Sequence, residues 1–152
     1  MTLYADGKDF ARDSQLVGLL MGLLERHIHV AIVTAAGYPG NVQRYEQRLS
    51  GLLDGFRSSH LPAACLENFY VLGGECNYLF KYDAASGHLV YIQPEAYQSA
   101  NVQKWSTAHE PIARLLDVAE TNLRECSEEL GLADRVTILR KQLSVGMIFI
   151  MI

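Results

Sequence analysis

Apolar residues recur at Leu16, Leu19, Leu20, Leu23 and Leu24, the 3.6-residue period of a helix with one buried face. Ser14 stands where an N-cap belongs. Val30-Ala-Ile-Val33 follows as a short unbroken apolar run leading into Thr34-Ala-Ala-Gly37. Such a run predicts a strand buried on both faces of a parallel sheet. Helical spacing returns at Val42, Tyr45, Leu49, Leu52, Leu53 and Phe56, with Asn41 as the cap. Upstream, Thr2-Leu3-Tyr4 reads as the end of another strand and Asp6-Gly7 as a turn. The order helix, strand, helix predicts part of a doubly wound α/β core, with Val30–Thr34 parallel to Thr2–Tyr4.

After Pro62 the pattern changes. Phe69–Leu72, Tyr78–Phe80 and Leu89–Ile92 are rich in aromatic and β-branched residues and read as strands, the last two joined by a turn at Ser86-Gly87. A long helix is expected from Glu110 to Leu130, its stripe being Ile112, Leu115, Leu116, Ala119, Leu123, Cys126 and Leu130. Val136–Leu139 reads as a strand, and Val145–Ile152 as an apolar, strand-like tail that stops without a polar terminus. The expected organisation is an α/β core over 1–62 and a mixed α+β module over 63–152, its strands at 68–92 antiparallel and outside the parallel sheet. The bare tail suggests truncation, because an uncovered hydrophobic strand invites aggregation.

At 152 residues the chain can bury one proper core. The net charge of -4 and the scattered Lys and Arg argue against a nucleic-acid footprint, which needs basic residues gathered on one face. Cys65, Cys76 and Cys126 are odd in number and lack CxxC spacing, which argues against a disulfide framework or a zinc site and favours a reducing, cytoplasmic setting. Leu16–Leu24, interrupted by Gly18 and Gly22, is too short to cross a bilayer. The five histidines show no metal-ligand spacing.

Thr34 is the first candidate for chemistry. A hydroxyl and backbone amides at the carboxyl end of a buried strand, just before a helix, occupy the usual ligand position of open parallel sheets. Many strands end in Thr for β-propensity alone, so the pattern leaves both readings open.

Longer motifs decide between them. Thr2-Leu-Tyr with Asp6-Gly7, Val30–Tyr38, Tyr45-Glu-Gln-Arg-Leu49, Asn68–Phe80, and Leu115–Glu120 with Arg124–Cys126 together resemble the IMP-specific 5′-nucleotidases of the haloacid dehalogenase superfamily. The resemblance implies a Rossmannoid phosphohydrolase core followed by a cap, Mg²⁺-dependent hydrolysis of IMP to inosine, an ATP-responsive region and a homo-oligomer in the full-length protein. It places the nucleophilic and acid–base aspartates immediately before Thr2, and a phosphate-facing Lys and metal-binding acidic motif beyond Ile152. Within the chain it implies a phosphate-binding role for Thr34, IMP contact for Asp6 and loop support for Thr2. Glu75 and Asn77 become candidates to read the hypoxanthine or the sugar, the alternative being a structural turn. Arg140 and Lys141 are candidates to reach the phosphate, the alternative being a solvated strand end. The match departs at Arg140-Lys-Gln-Leu-Ser-Val-Gly146, where the family's basic residue is replaced by Leu143.

Two functions follow, a nucleotidase segment or a non-catalytic nucleotide-binding or oligomerising module. Groups that act as a unit are worth roughly 10⁴- to 10⁶-fold in rate, so the 152-residue chain alone is expected to release no inosine from IMP and Mg²⁺. Release above a heat-killed control would overturn that expectation.

Overall fold

A computed structural model describes residues 9–36, 38, 41–74, 76–106, 109–141 and 143–150. Its elements are α1 (Gln15–Glu25), β1 (Val30–Val33), α2 (Val42–Arg48), α3 (Ser50–Ser58), α4 (Ala63–Leu66), β2 (Phe69–Gly73), β3 (Tyr78–Asp83), β4 (His88–Ile92), α5 (Ala100–Ser106), α6 (His109–Glu129), β5 (Val136–Arg140) and β6 (Val145–Phe149). The chain is mixed α/β and divides into two compact units between Tyr97 and Gln98.

In the first unit β1–β2–β3–β4 form one sheet. β1 and β2 are parallel, from Val30 opposite Phe69 to Val33 opposite Leu72, and β3 and β4 continue antiparallel. The expectation that strands 68–92 lie outside the parallel sheet is therefore wrong, and the expected division at 62/63 falls inside the first unit. The aromatic residues that suggested a separate module are the core itself. Phe56 of α3 meets Phe69 at 5.0 Å and Tyr82 at 5.2 Å edge-on, and Tyr45 of α2 meets Phe80 at 4.8 Å. β-propensity marks these strands but carries no information about their neighbours.

One face of this sheet is sealed. Ile32, Phe69, Val71, Phe80, Tyr82 and Leu89 pack under Leu24, Tyr45, Leu52, Leu53 and Phe56. On the other face Ala31 is exposed and Val33 is 61% exposed. Among the described residues β1 is thus covered on one face only, not on both. The Thr2–Tyr4 strand and its pairing lie outside the described residues.

The helices begin as the pattern predicts. The Ser14 side chain accepts from Leu16 N, and Asn41 Oδ1 accepts from Arg44 N at 3.1 Å. The single helix expected from Val42 to Phe56 instead breaks at Leu49, although its stripe is buried on both sides of the break. The cause lies elsewhere in the chain. Phe10 lodges at the break, donating its N–H to Arg48 O at 2.7 Å and accepting from Gly51 N at 3.1 Å.

β3 and β4 connect through a tight hairpin at Asp83–Gly87. Gly87 takes φ 72°, and Asp83 Oδ2 accepts from Ser86 N at 2.9 Å. Bonding to Ser86 holds the Asp83 carboxyl below its ordinary pKa. A depressed carboxylate pKa adds stability above the unfolded value, lost as pH falls through the folded one.

In the second unit β5 and β6 pair antiparallel, Val136 opposite Phe149 and Arg140 opposite Val145. The strand-like tail is thus a paired strand as far as Phe149. The stripe expected on α6 is rotated. Leu116 and Ser127 are buried with Ile112, Ala119 and Leu123 half-buried, whereas Leu115 is 67% and Leu130 64% exposed. Leu115 and Leu116 sit about 100° apart on a helix, so they cannot share one narrow stripe. No described helix is long and apolar enough to cross a membrane.

Gly51 has no room for a side chain, since a Cβ there would lie 2.3 Å from Phe10 O. Gly51→Ala is expected to cost about 1–3 kcal/mol through overpacking. The urea midpoint should fall with an unchanged slope.

Candidate functional site

The carboxyl end of β1 leads into a loop that three elements hold. Thr34 N extends the parallel ladder by donating to Leu72 O at 2.9 Å. The Thr34 Oγ1 accepts from Ala36 N at 3.1 Å. The Tyr45 hydroxyl, rising from α2, donates to Ala36 O at 3.0 Å and accepts from Tyr38 N at 3.1 Å. Gly74 N also donates to Ala36 O, at 2.9 Å, tying the loop to the β2–β3 turn. Tyr45 reaches this position because Gly73 lies beneath it, where a Cβ would sit 2.4 Å from the phenol oxygen.

These bonds set what the loop offers a ligand. The amides of Ala36 and Tyr38 are taken up internally and are not free for an anion. The Thr34 oxygen accepts one bond and retains its O–H as a donor. No described residue accepts it.

A cleft opens at Thr34, and a larger cavity shares two of its lining residues. A narrow cleft of about 20 Å³ is lined by Thr34, Tyr38, Tyr45 and Arg48 among others, and a polar cavity of about 220 Å³ by Asp9, Tyr38, Arg44, Gln47 and Arg48. Tyr38 and Arg48 line both. Arg44 and Arg48 stand four apart on α2 and so share a face. The Arg44 guanidinium lies over the Tyr38 ring at 5.5 Å, and Arg48 Nη1 pairs with Asp9 Oδ1 at 3.1 Å. The Tyr38 hydroxyl first, and Asp9 second, hold Arg48 above its ordinary pKa. Opposite, Glu46 anchors α2 to the sheet, accepting from Leu89 N at 2.7 Å and pairing with His88 Nδ1 at 3.1 Å.

Thr34 and Asn77 come to the same end of the sheet. The Asn77 side chain donates to Gly74 O at 2.6 Å, closing the β2–β3 turn. Asp6, Thr2 and Glu75 lie outside the described residues. Arg140 belongs to the second unit, where it pairs with Asp117 at 2.9 Å and Glu120 at 3.3 Å and donates to Ala113 O. That network accounts for Arg140 as a tie between β5 and α6. Lys141 N closes the turn before β6 by donating to Ser144 O. The sequence pattern gave Tyr38, Arg44 and Arg48 no role. The available signal was a pair of arginines four apart, directly after a strand-ending Thr.

A family model described as IMP-specific 5′-nucleotidase matches residues 1–151. The chain belongs to the IMP-specific 5′-nucleotidase family. The Schizosaccharomyces pombe IMP-specific 5′-nucleotidase 1 is 39% identical over 149 residues, which cover 97% of this chain and 36% of that protein. The Emericella nidulans IMP-specific 5′-nucleotidase 1 is 43% identical over 148 residues, covering 96% and 32%. Among solved structures, an N-terminally truncated, IMP-bound Plasmodium falciparum IMP-nucleotidase is similar with a TM-score of 0.81 at 31% identity, covering 97% of this chain and 37% of that one. An ATP-bound form of the Plasmodium falciparum enzyme gives 0.76 at 29%, covering 97% and 33%. This IMP-specific 5′-nucleotidase family member spans about a third of the length of the curated relatives it matches.

The Tyr45 hydroxyl makes two of the bonds that shape the site. Tyr45→Phe leaves the Tyr38 amide without that acceptor and is expected to cost about 1–3 kcal/mol. Thermal unfolding should register the loss, and amide exchange at Ala36 and Tyr38 should accelerate more than in β3.

Proposed function

We propose that this chain is the segment of an IMP-specific 5′-nucleotidase that carries the phosphate-binding hydroxyl and the basic wall beside it. The observation that supports the reading is the shared cleft of Thr34 and Arg48, in a chain matched to the family over residues 1–151. Thr34 would donate its O–H to a phosphate oxygen, and Arg44 and Arg48 would supply positive charge toward the dianion. Arg pairs well with phosphate because its planar fork offers parallel donors. Asp6 would face the nucleoside, since a carboxylate beside the reacting phosphate would repel it. Thr2 would support the catalytic loop, and Glu75 with Asn77 the base or sugar.

Among the described residues no group of three or more His, Cys, Asp or Glu could hold a metal ion. Those residues do not fit a Mg²⁺ site, and any Mg²⁺ in the longer protein would be held by other residues. The reading makes the isolated chain inactive, with the nucleophile supplied by the longer protein. In that protein, ATP as an effector, a homo-oligomer and a cytoplasmic setting belong to the same proposal. The unit ending at Tyr97, which carries Thr34, would belong to the phosphohydrolase core, and the unit from Gln98 would contribute to its cap.

The test uses the full-length protein that contains this segment, with IMP and a simple aryl phosphate as substrates. Thr34→Val removes one charge-assisted donor, worth about 1.5–3 kcal/mol or roughly one to two decades in kcat/KM. It should lower both activities alike. Asp6→Asn should lower IMP hydrolysis and spare the aryl phosphate. Equal losses from Asp6→Asn, or none from Thr34→Val, would overturn these assignments.

A further inference from the structure

On α2, Arg44, Gln47 and Arg48 stand three and four positions apart, so their side chains share one face of the helix. With Tyr38 and Asp9 that face bounds the polar cavity of about 220 Å³. The cleft at Thr34 is far smaller, about 20 Å³. Roughly 10–15 Å³ of such space holds one water, so the cleft admits a single oxygen atom and not a whole tetrahedral anion. The larger cavity has the room. Tyr38 and Arg48 wall both spaces, so an anion in the cavity is next to the one at which Thr34 stands.

Charge around the cavity is unbalanced. Two guanidiniums face one carboxylate, and that carboxylate is already committed, Asp9 Oδ1 pairing with Arg48 Nη1 at 3.1 Å. Arg44 is the surplus cation. Its guanidinium lies over the Tyr38 ring at 5.5 Å, a contact of charge with the ring face. Among the described residues no carboxylate pairs with the Arg44 head and no acceptor takes its N–H donors. The Gln47 side-chain amide is likewise without a hydrogen bond to a described residue. Both side chains are exposed, so water serves these donors until an anion replaces it with charge-assisted bonds.

We propose that the cavity on the Arg44–Arg48 face of α2 is a holding site for free inorganic phosphate. The two guanidiniums and the Gln47 amide donate to the anion, in a space that shares two walls with the Thr34 cleft. That this phosphate is a reaction product rests on the phosphatase reading above; that the cavity takes a phosphate dianion does not. Asp9 competes with the anion for Arg48, so the ion pair sets how tightly phosphate is held.

Inorganic phosphate is the probe, titrated into the ¹⁵N-labelled 152-residue chain at constant ionic strength made up with chloride, and followed by amide shifts. Saturable shifts should centre on Tyr38 and residues 44–48 and be absent from residues 82–87. Arg44→Gln should weaken binding about fivefold, and Arg44→Lys, which keeps the charge, should weaken it less. Asp9→Asn should tighten binding by releasing Arg48 to the anion, a gain that a purely structural ion pair would not give. IMP, whose phosphate is esterified, should bind these residues no more tightly than inorganic phosphate. Binding is read without turnover, whereas the phosphatase reading is tested by the Thr34→Val kinetics, so either can fail alone. The proposal is overturned by an absence of saturable shifts at Tyr38 and residues 44–48, by unchanged affinity in Arg44→Gln, by weaker binding in Asp9→Asn, or by tighter binding of IMP, which would give the cavity to the substrate instead.

Discussion

The Tyr45 hydroxyl bonds to the loop after β1 at two points, donating to Ala36 O and accepting from Tyr38 N. Its ring is 2% exposed and wedged against Phe80 at 4.8 Å, with Tyr38 edge-on at 5.2 Å. One side chain therefore fixes the loop that carries Thr34 and simultaneously locks α2 to the sheet. Arg44 and Arg48 ride on that helix, so their placement beside Thr34 follows from the same contact. The constraint extends to Gly73, which leaves the space the phenol crosses. A buried hydroxyl with both bonds satisfied is stable; with either lost it would carry a desolvation penalty. The loop is held by an interaction that tolerates little displacement.

The helix layer works on both ends of the sheet. Tyr45 on α2 faces the carboxyl end of β1, and eleven positions on, Phe56 on α3 faces Phe69 and Tyr82 near the other end. Both rings belong to one apolar stripe, yet they sit on separate helices because Phe10 interrupts the run at Leu49. The break lets the stripe follow the sheet, which a straight helix would leave as its strands twist. Glu46 closes the arrangement from beneath by capping the start of β4.

Local periodicity made the helices and strands legible, because each element signals itself through its own spacing. Ser14, Asn41 and the Ser86-Gly87 turn were readable for the same reason. What escaped was decided by distant partners. The break at Leu49 depends on Phe10, the uncovered face of β1 on what does not pack there, and membership of strands 69–92 in one sheet on pairing that propensity cannot encode. The site divides likewise. Thr34 was visible at a strand end, and motif resemblance gave it a role. Arg48 gains meaning only when Tyr38 and Asp9 come alongside. Arg140, visible as a charge, is engaged by Asp117 and Glu120 on α6, partners twenty or more residues away that only the fold brings near.

The position of the Thr34 oxygen follows from these contacts. A hydroxyl carries one proton and two lone pairs. The Ala36 amide occupies one lone pair at 3.1 Å, and Ala36 is in turn held through its carbonyl by Tyr45 and Gly74. The amide thus arrives from a fixed side, and the hydroxyl, which rotates about its C–O bond, keeps its O–H to donate on the side of the cleft that Arg48 also lines. In the proposed phosphate-binding role, an oxygen held in place before the ligand arrives needs little reorganisation when charge appears, the condition under which fixed dipoles are most effective. In the proposed role, the same geometry favours the hydroxyl over the amides of Ala36 and Tyr38. The loop's amides at Ala36 and Tyr38 are spent on holding its shape, and the hydroxyl is the group that can accept the structural bond and still donate outward.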